Sequence, residues 1–232
     1  IPTPIGNLED LSERARRTLT EVQVIACEDT RVTRKLLGHI GARARLISYH
    51  DYNEELRAPA LLALLKAGQD VAVVSDAGSP GISDPAYRVI AAAIDEHITI
   101  IPLPGPTSII PALTASGLPT DRFFFEGFAP RTAATRKRRF RELAELPHTI
   151  IFLESPQRLN STLRDALAVF GERRACVARE ISKLHEEFAR GTLSELSEQF
   201  GARKPRGEIT LVIEGKQREK RVKTNKYAQE PD

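Results

Sequence analysis

The chain has 232 residues, 41% of them hydrophobic and 28% charged, and 34 Lys and Arg against 31 Asp and Glu leave a formal charge of +3. That is enough apolar material for one large or two small domains of a soluble protein. No apolar run reaches the roughly 18 residues of a membrane span. At 6% aromatic with no Trp, the chain offers no aromatic cage or stacking platform.

The sequence opens at IPTPIGN without an initiator Met, as expected of a trimmed or missing start. No signal-peptide pattern is visible, and the expected location is the cytoplasm. Asn7 precedes a helical pattern with Leu8, Leu11, Ala15 and Leu19 on one face, and Asp10 stands where a capping-box acid would. Val22 to Ala26 reads as a strand ending in the polar cluster CEDTR. LRAPALLALLKAG reads as a helix closed by Gly68, DVAVVS as an apolar strand, and AYRVIAAAIDEH as an amphipathic helix. ITIIPL is expected to be the next strand and TSIIPALTASG a helix ending at Gly117. Apolar strands separated by helices indicate a parallel sheet covered on both faces.

The turn-rich GLPTD at 117–121 marks a domain boundary near residue 119. Beyond it RFFFEGF, HTIIFLES, ACVARE and EITLVIEG are strand candidates, with helices at Thr132–Leu146, Gln157–Phe170 and Leu193–Phe200 between them. The expected layout is an α/β domain at 1–118 and a second α/β domain with a mixed sheet at 119–215. A basic, disordered tail at 216–232 is expected to follow. Cys27 and Cys176 each sit in an apolar run and are expected to be reduced and buried.

Ligands of open parallel sheets bind beyond the carboxyl ends of the strands, so the loops after the strands are the informative ones. SDAGSPGISDP packs two Gly, two Pro, three Ser and two Asp into eleven residues, Ser75 to Pro85. Gly permits a close backbone approach, Pro fixes the path, and Asp76 and Asp84 can bind hydroxyls or amines. PLPGPTS, with Thr107 and Ser108, is either a helix cap or the opposite wall of one crevice. CEDTR places Glu28, Asp29 and Arg31 at another strand end, where a salt-bridged turn is the ordinary alternative. FLESPQR puts Glu154 at a strand end, and REISKLHEE is either an exposed charge run or a site. RTAATRKRRFR, residues 131–141, holds six basic residues and no acid, which suits a phosphate-binding face or a solvated helix. GxGxxG, GxxxxGK[ST], HExxH and paired CxxC motifs are all missing, and no metal site is expected.

Taken together TPIGNLEDLS, EDTR, LISYHDYNE, VSDAGSPGISDPAYR, PLPGPTSIIPALTASGLPTDRFFFEGFAPR, HTIIFLESPQRL, ISKLHEE and GEITLVIEG resemble the tetrapyrrole methylase family. The stretches run in order from residue 3 to 215 and match the family's ribosomal RNA branch in particular. The family's apolar first strand, which would precede Ile1, is not in this sequence. The resemblance implies two α/β domains with S-adenosylmethionine in the cleft between them, and a homodimer. It implies as substrate the ribose 2′-hydroxyl of a cytidine in the decoding region of 16S ribosomal RNA, within the small ribosomal subunit. A corrin or porphyrin precursor as acceptor, or a non-catalytic RNA-binding role, stand as the alternatives.

By motif, the resemblance places the cofactor against Pro4, Ile5, Gly6, Asp76, Gly78, Ser79, Thr107 and Ser108, and against Leu153, Glu154, Gly207, Glu208 and Ile209. Methyl transfer to a hydroxyl asks for in-line positioning and a base. Lys183, Glu180, Glu186 and Asp29 are the candidates, with Arg31 and Arg179 as substrate clamps. A lysine base requires a lowered pKa. Arg131, Arg136, Lys137, Arg138, Arg139 and Arg141 are the expected RNA contacts.

Overall fold

The computed structural model describes residues 1–203 and 205–217. The expected basic tail therefore falls, from residue 218 onward, outside the described residues. No helix among the described residues is long and apolar enough to cross a membrane.

The first half is a three-layer α/β unit. After a short 3-10 turn at Leu8–Asp10 come α1 (Glu13–Glu21), β1 (Val24–Cys27), α2 (Thr30–Ile40), β2 (Arg45–Ser48), α3 (Glu54–Lys66), β3 (Val71–Val74), α4 (Tyr87–Asp95) and α5 (Ile109–Ala115). The strands form a parallel sheet in the order β2-β1-β3, with all four β1 residues buried. Side chains alternate across β1, so Ile25 and Cys27 pack with Leu19, Leu36 and Leu37 of α1 and α2. Ala26 packs on the other face with Tyr49, Leu61 and Val89. The helical pattern expected from Asn7 breaks in two. Asn7 caps the short turn, and α1 starts afresh at Ser12, whose hydroxyl accepts the Ala15 N–H.

The second half comprises β4 (Phe123–Phe128), α6 (Ala133–Leu143), β5 (Thr149–Glu154), α7 (Leu159–Phe170), β6 (Arg174–Arg179), β7 (Glu187–Thr192), α8 (Leu193–Gly201) and β8 (Ile209–Ile213). Its five-stranded sheet runs β4-β5-β8-β6-β7, with β4 and β5 parallel and the other three pairings antiparallel. Ile150, Phe152, Leu211 and Ile213 bury against α6, α7 and α8. Ile151 and Val212 point the other way, onto Ala112 and Leu113 of α5 and Ile5 of the N-terminal segment. The second sheet is thus covered on both faces, and the first half supplies one of the covers.

One further expectation needs correction, and two stretches hold more structure than their composition signals. ITIIPL forms no strand: Ile100 and Ile101 are 39% and 64% exposed, and the run pairs with no neighbouring strand among the described residues. The polar stretch after β1 continues into a full helix and strand, α2 and β2, which its composition does not signal. The charge run at 179–187 leads from the end of β6 into β7, a half-buried edge strand that begins at the run's last residue, Glu187. Both cysteines are free and buried, as expected.

Candidate active site

Because β8 runs antiparallel to β5 and β6, its start meets their ends. The loops after β1 and β3, the segment before α5, the ends of β5 and β6 and the approach to β8 enclose one cavity of about 390 Å³. The volume is within the range of small-molecule sites. Ile5, Asp76, Gly78, Ser79, Thr107, Ser108, Leu153, Glu154, Gly207, Glu208 and Ile209 all line it. Pro4 and Gly6 of the motif-derived set do not. Glu28, Asp84, Ile82, Phe128 and Ile181 also belong to the wall. Glu28 and Asp84 are visible in the sequence as strand-end acids. Phe128, the last residue of β4, and Ile181, in the turn after β6, carry no signal of their own.

The loop after β3 is held by its backbone. Thr3 and Gly78 exchange two N–H to carbonyl bonds of 2.9 Å, and the Thr3 hydroxyl donates to the Ser75 carbonyl at 3.0 Å. Gly78 sits at φ +85, a left-handed turn conformation that favours glycine. The Ser79 hydroxyl donates to the Pro106 carbonyl at 3.3 Å, tying this loop to the segment before α5. Thr107 Oγ1 accepts the Ile109 N–H, whereas Ser108, the N-cap of α5, makes no side-chain cap.

Among the described residues the wall holds five carboxylates, Glu28, Asp76, Asp84, Glu154 and Glu208, and no Lys, Arg or His. Glu154 is satisfied by Arg158 at 2.6 Å, the Thr162 hydroxyl at 2.6 Å and the Ser155 N–H at 2.7 Å. Glu208 pairs with Lys183 at 3.2 Å. Among the described residues Asp76 accepts a single hydrogen bond, from the Asp29 backbone N–H at 3.0 Å. Burial pushes the Asp84 carboxyl up to about 6, and the charges of Glu28 and Asp76 add to the rise. Burial also raises Glu28 and Asp76 above the usual carboxylate range. These three are acids crowded together in a half-dry hollow.

None of the four candidate bases and neither arginine clamp lines the cavity. Lys183 stands at its rim, its ammonium donating to Glu180 at 2.9 Å and to Glu208. A Cβ on Gly6 would come within 2.3 Å of the Lys183 Cγ, so the glycine makes room for this side chain. Burial pulls the Lys183 pKa down, but the hydrogen bond to Glu180 and the charge of Glu208 outweigh it and leave it raised. The lowering that a lysine base requires is therefore not met. Glu180, at φ +53, is occupied by Lys183 and the Glu208 N–H. Glu186 accepts the Ser182 N–H at 2.8 Å. Asp29 caps α2 and chelates Arg31, whose hydrogen bonds hold the Asp29 carboxyl at about 2, too weak a base for a hydroxyl. Arg179 is consumed by Glu187 and by the carbonyls of His185 and Arg206.

The arginine-rich stretch divides. Arg136 is buried, bonded to Asp165 and to the Pro130 and Arg131 carbonyls, so it is a structural residue and not an RNA contact. Lys137 also reaches Asp165, at 3.3 Å, and Arg139 is held by Glu126 and Glu142. Arg131, Arg138 and Arg141 are exposed.

The family model described as Tetrapyrrole (Corrin/Porphyrin) Methylases matches residues 1–197. A Synechocystis protein named "Ribosomal RNA small subunit methyltransferase I" is 49% identical over 216 residues, 93% of this chain and 77% of that protein. A protein of the same name from Thermotoga maritima is 46% identical over 217 residues, covering 94% of this chain and 97% of the relative. Another, from Escherichia coli O157:H7, is 46% identical over 220 residues, with 93% and 76% covered. Among solved structures, uroporphyrin-III-C-methyltransferase from Thermus thermophilus superposes with a TM-score of 0.62 at 22% identity, covering 92% of this chain and 91% of that one. Cobalt precorrin-4 methyltransferase gives 0.67 at 17% identity, with 92% of each chain covered. At such identities these two speak for the fold alone.

Proposed function

The chain belongs to the tetrapyrrole methylase family, and within it we propose that it is an S-adenosylmethionine-dependent methyltransferase of 16S ribosomal RNA. The proposed acceptor is the ribose 2′-hydroxyl of a cytidine in the decoding region. Identity of 46–49% over more than nine-tenths of the chain to proteins named for ribosomal RNA methylation carries the choice of acceptor. A small-molecule cavity alone would serve a corrin methylase equally well. The reading extends to a homodimer working in the cytoplasm on the small ribosomal subunit, with domains at 1–118 and 119–215.

The wall suits this donor. Glu28, Asp76 and Asp84, with no ion pair among the described residues, favour a positively charged ligand and disfavour phosphate. When bound, S-adenosylmethionine supplies a methyl group already activated on a sulfonium. Ile5, Ile82, Leu153, Ile181 and Ile209 give an apolar lining, and Asp76 with Asp84 receives the positive charge. Lys183, kept protonated by Glu180 and Glu208, is a positioning cation at the rim, set to hold an acceptor oxygen. Of the six basic residues at 131–141, Arg131, Arg138 and Arg141 remain as RNA contacts.

The test is incubation with labelled S-adenosylmethionine and either small ribosomal subunits or naked 16S RNA, followed by digestion to nucleosides. Label in 2′-O-methylcytidine is the expected result. Label in a base, or only in an added tetrapyrrole precursor, would overturn the reading.

A further inference from the structure

A second hollow of about 230 Å³ lies beside the main cavity, and Asp76 lines both. Its far wall is one face of α2: Val32, Lys35 and His39, spaced i, i+3 and i+7, with Leu8 facing them from the N-terminal turn. Leu8 and Val32 are 43% and 39% exposed, an apolar pair left open to solvent. The surrounding segment 30–45 carries five Lys and Arg and His39 without one Asp or Glu. Arg31 is engaged by Asp29, but among the described residues Arg34, Lys35, Arg43 and Arg45 have no ion-pair partner. The chemistry is the reverse of the main cavity's, which is acidic and closed to phosphate.

An apolar floor flanked by free cations matches the two parts of a nucleotide, a flat base and an anionic phosphate. Resting on the proposed RNA methyltransferase activity, we propose that this hollow holds the nucleotide adjoining the acceptor in the RNA strand. Its base packs on Leu8 and Val32, and its backbone phosphate meets Lys35 and His39. The shared Asp76 marks how near this neighbour lies to the donor, so the backbone follows the basic groove past the mouth of the acidic cavity and only the acceptor ribose faces it. α2 then contributes RNA contacts that the arginine-rich helix, with half its charge spent internally, does not.

The test uses the full chain and a fluorescein-labelled single-stranded RNA 12-mer containing cytidine, with anisotropy followed across a salt series. Each phosphate contact on single-stranded RNA adds about 0.7 to the slope of log affinity against log salt. Lys35→Gln should make that slope shallower by about 0.7. Leu8→Ser with Val32→Ser should weaken binding several-fold at an unchanged slope. Calorimetric affinity for S-adenosylmethionine and the melting temperature should stay at wild-type values in both variants, which separates a damaged subsite from a damaged fold. Wild-type slope in Lys35→Gln, or wild-type affinity in the serine pair, would overturn the subsite. A wild-type protein that binds S-adenosylmethionine but neither binds nor methylates RNA would instead overturn the methyltransferase reading beneath it.

Discussion

The two walls of the cavity both present carboxylates and treat them in opposite ways. On the first-half wall Glu28, Asp76 and Asp84 crowd together with no ion pair among the described residues, and burial raises all three above the usual carboxylate range. On the second-half wall Glu154 and Glu208 are neutralised by Arg158 and Lys183. The same division separates the two basic helices. α6 spends Arg136, Lys137 and Arg139 on internal acids, whereas Lys35 of α2 is left unpaired among the described residues. Charge that is compensated at home is architecture. Charge left uncompensated beside a cavity is held for a ligand.

The sharpest way to break this distinction is to remove a compensated charge and look for a binding effect in place of a structural one. Arg136 and Asp165 have side chains only 3% and 11% exposed. Arg136→Ala leaves the Asp165 carboxylate only the half-exposed Lys137 as a partner and should cost about 3 kcal/mol of stability by urea unfolding. Arg136→Met together with Asp165→Leu should recover most of it, because packed apolar groups can replace a buried pair. A variant that stays stable but no longer binds RNA would return Arg136 to the RNA surface.

Lys183 is where the two treatments meet, compensated by two acids yet standing at the rim. Removing this positioning cation in Lys183→Ala should lower kcat/KM on the order of 100-fold while leaving the affinity for S-adenosylmethionine intact. Lys183→Arg keeps the charge and should recover at least a tenth of the activity. An arginine variant as slow as the alanine variant, with a pH profile stripped of its basic limb, would make the amine a proton acceptor after all.

How much of this was legible in the sequence follows the same line. The cavity loops were legible because Gly, Pro and Asp clusters after apolar strands have little structural use, and eleven motif-derived residues do line the cavity. Phe123–Phe128, Thr149–Glu154 and Ile209–Ile213 announced themselves as apolar runs. α2 did not, since Val32, Leu36 and Leu37 are interleaved with Arg34, Lys35 and His39 and interrupted by Gly38. ITIIPL carried a strand composition, but pairing is decided by a neighbour that the composition does not mention. The burial of Arg136 was illegible for the same reason. Its partner Asp165 lies 29 positions away on α7.

On the uncompensated side, Asp84→Asn should weaken S-adenosylmethionine binding about tenfold at pH 7, a decrease of about 1.4 kcal/mol by calorimetry. The sign of the pH dependence separates its two effects. Asp84 titrates at about 6 when folded, against 3.8 as its ordinary value, so the folded apo protein binds the proton more tightly. Its stability therefore falls as pH rises from about 4 to about 6 and stays at the lower level above. Affinity for a cationic donor runs the other way, rising through pH 6 as the carboxylate ionises. Asp84→Asn should flatten both trends and melt about 2–4 °C higher than the apo wild type at pH 7, the shift that ~1 kcal/mol gives a chain of this size. A variant with an unchanged affinity profile would show that the charge on this wall faces no ligand.

The smallest effect is expected from what remains exposed on and beside α6. Replacing Arg131, Arg138 and Arg141 together with Ala removes no ion pair found among the described residues, so stability should move by no more than about 0.5 kcal/mol. If these side chains meet phosphates, the salt slope of RNA binding becomes shallower by about 0.7 for every phosphate they cease to neutralise. A slope that stays put while Lys35→Gln lowers it would leave RNA binding to α2 alone. The arginine-rich helix would then be a cover for the second sheet, its inward half clamped to Asp165 and Glu126 and its outward half merely solvated.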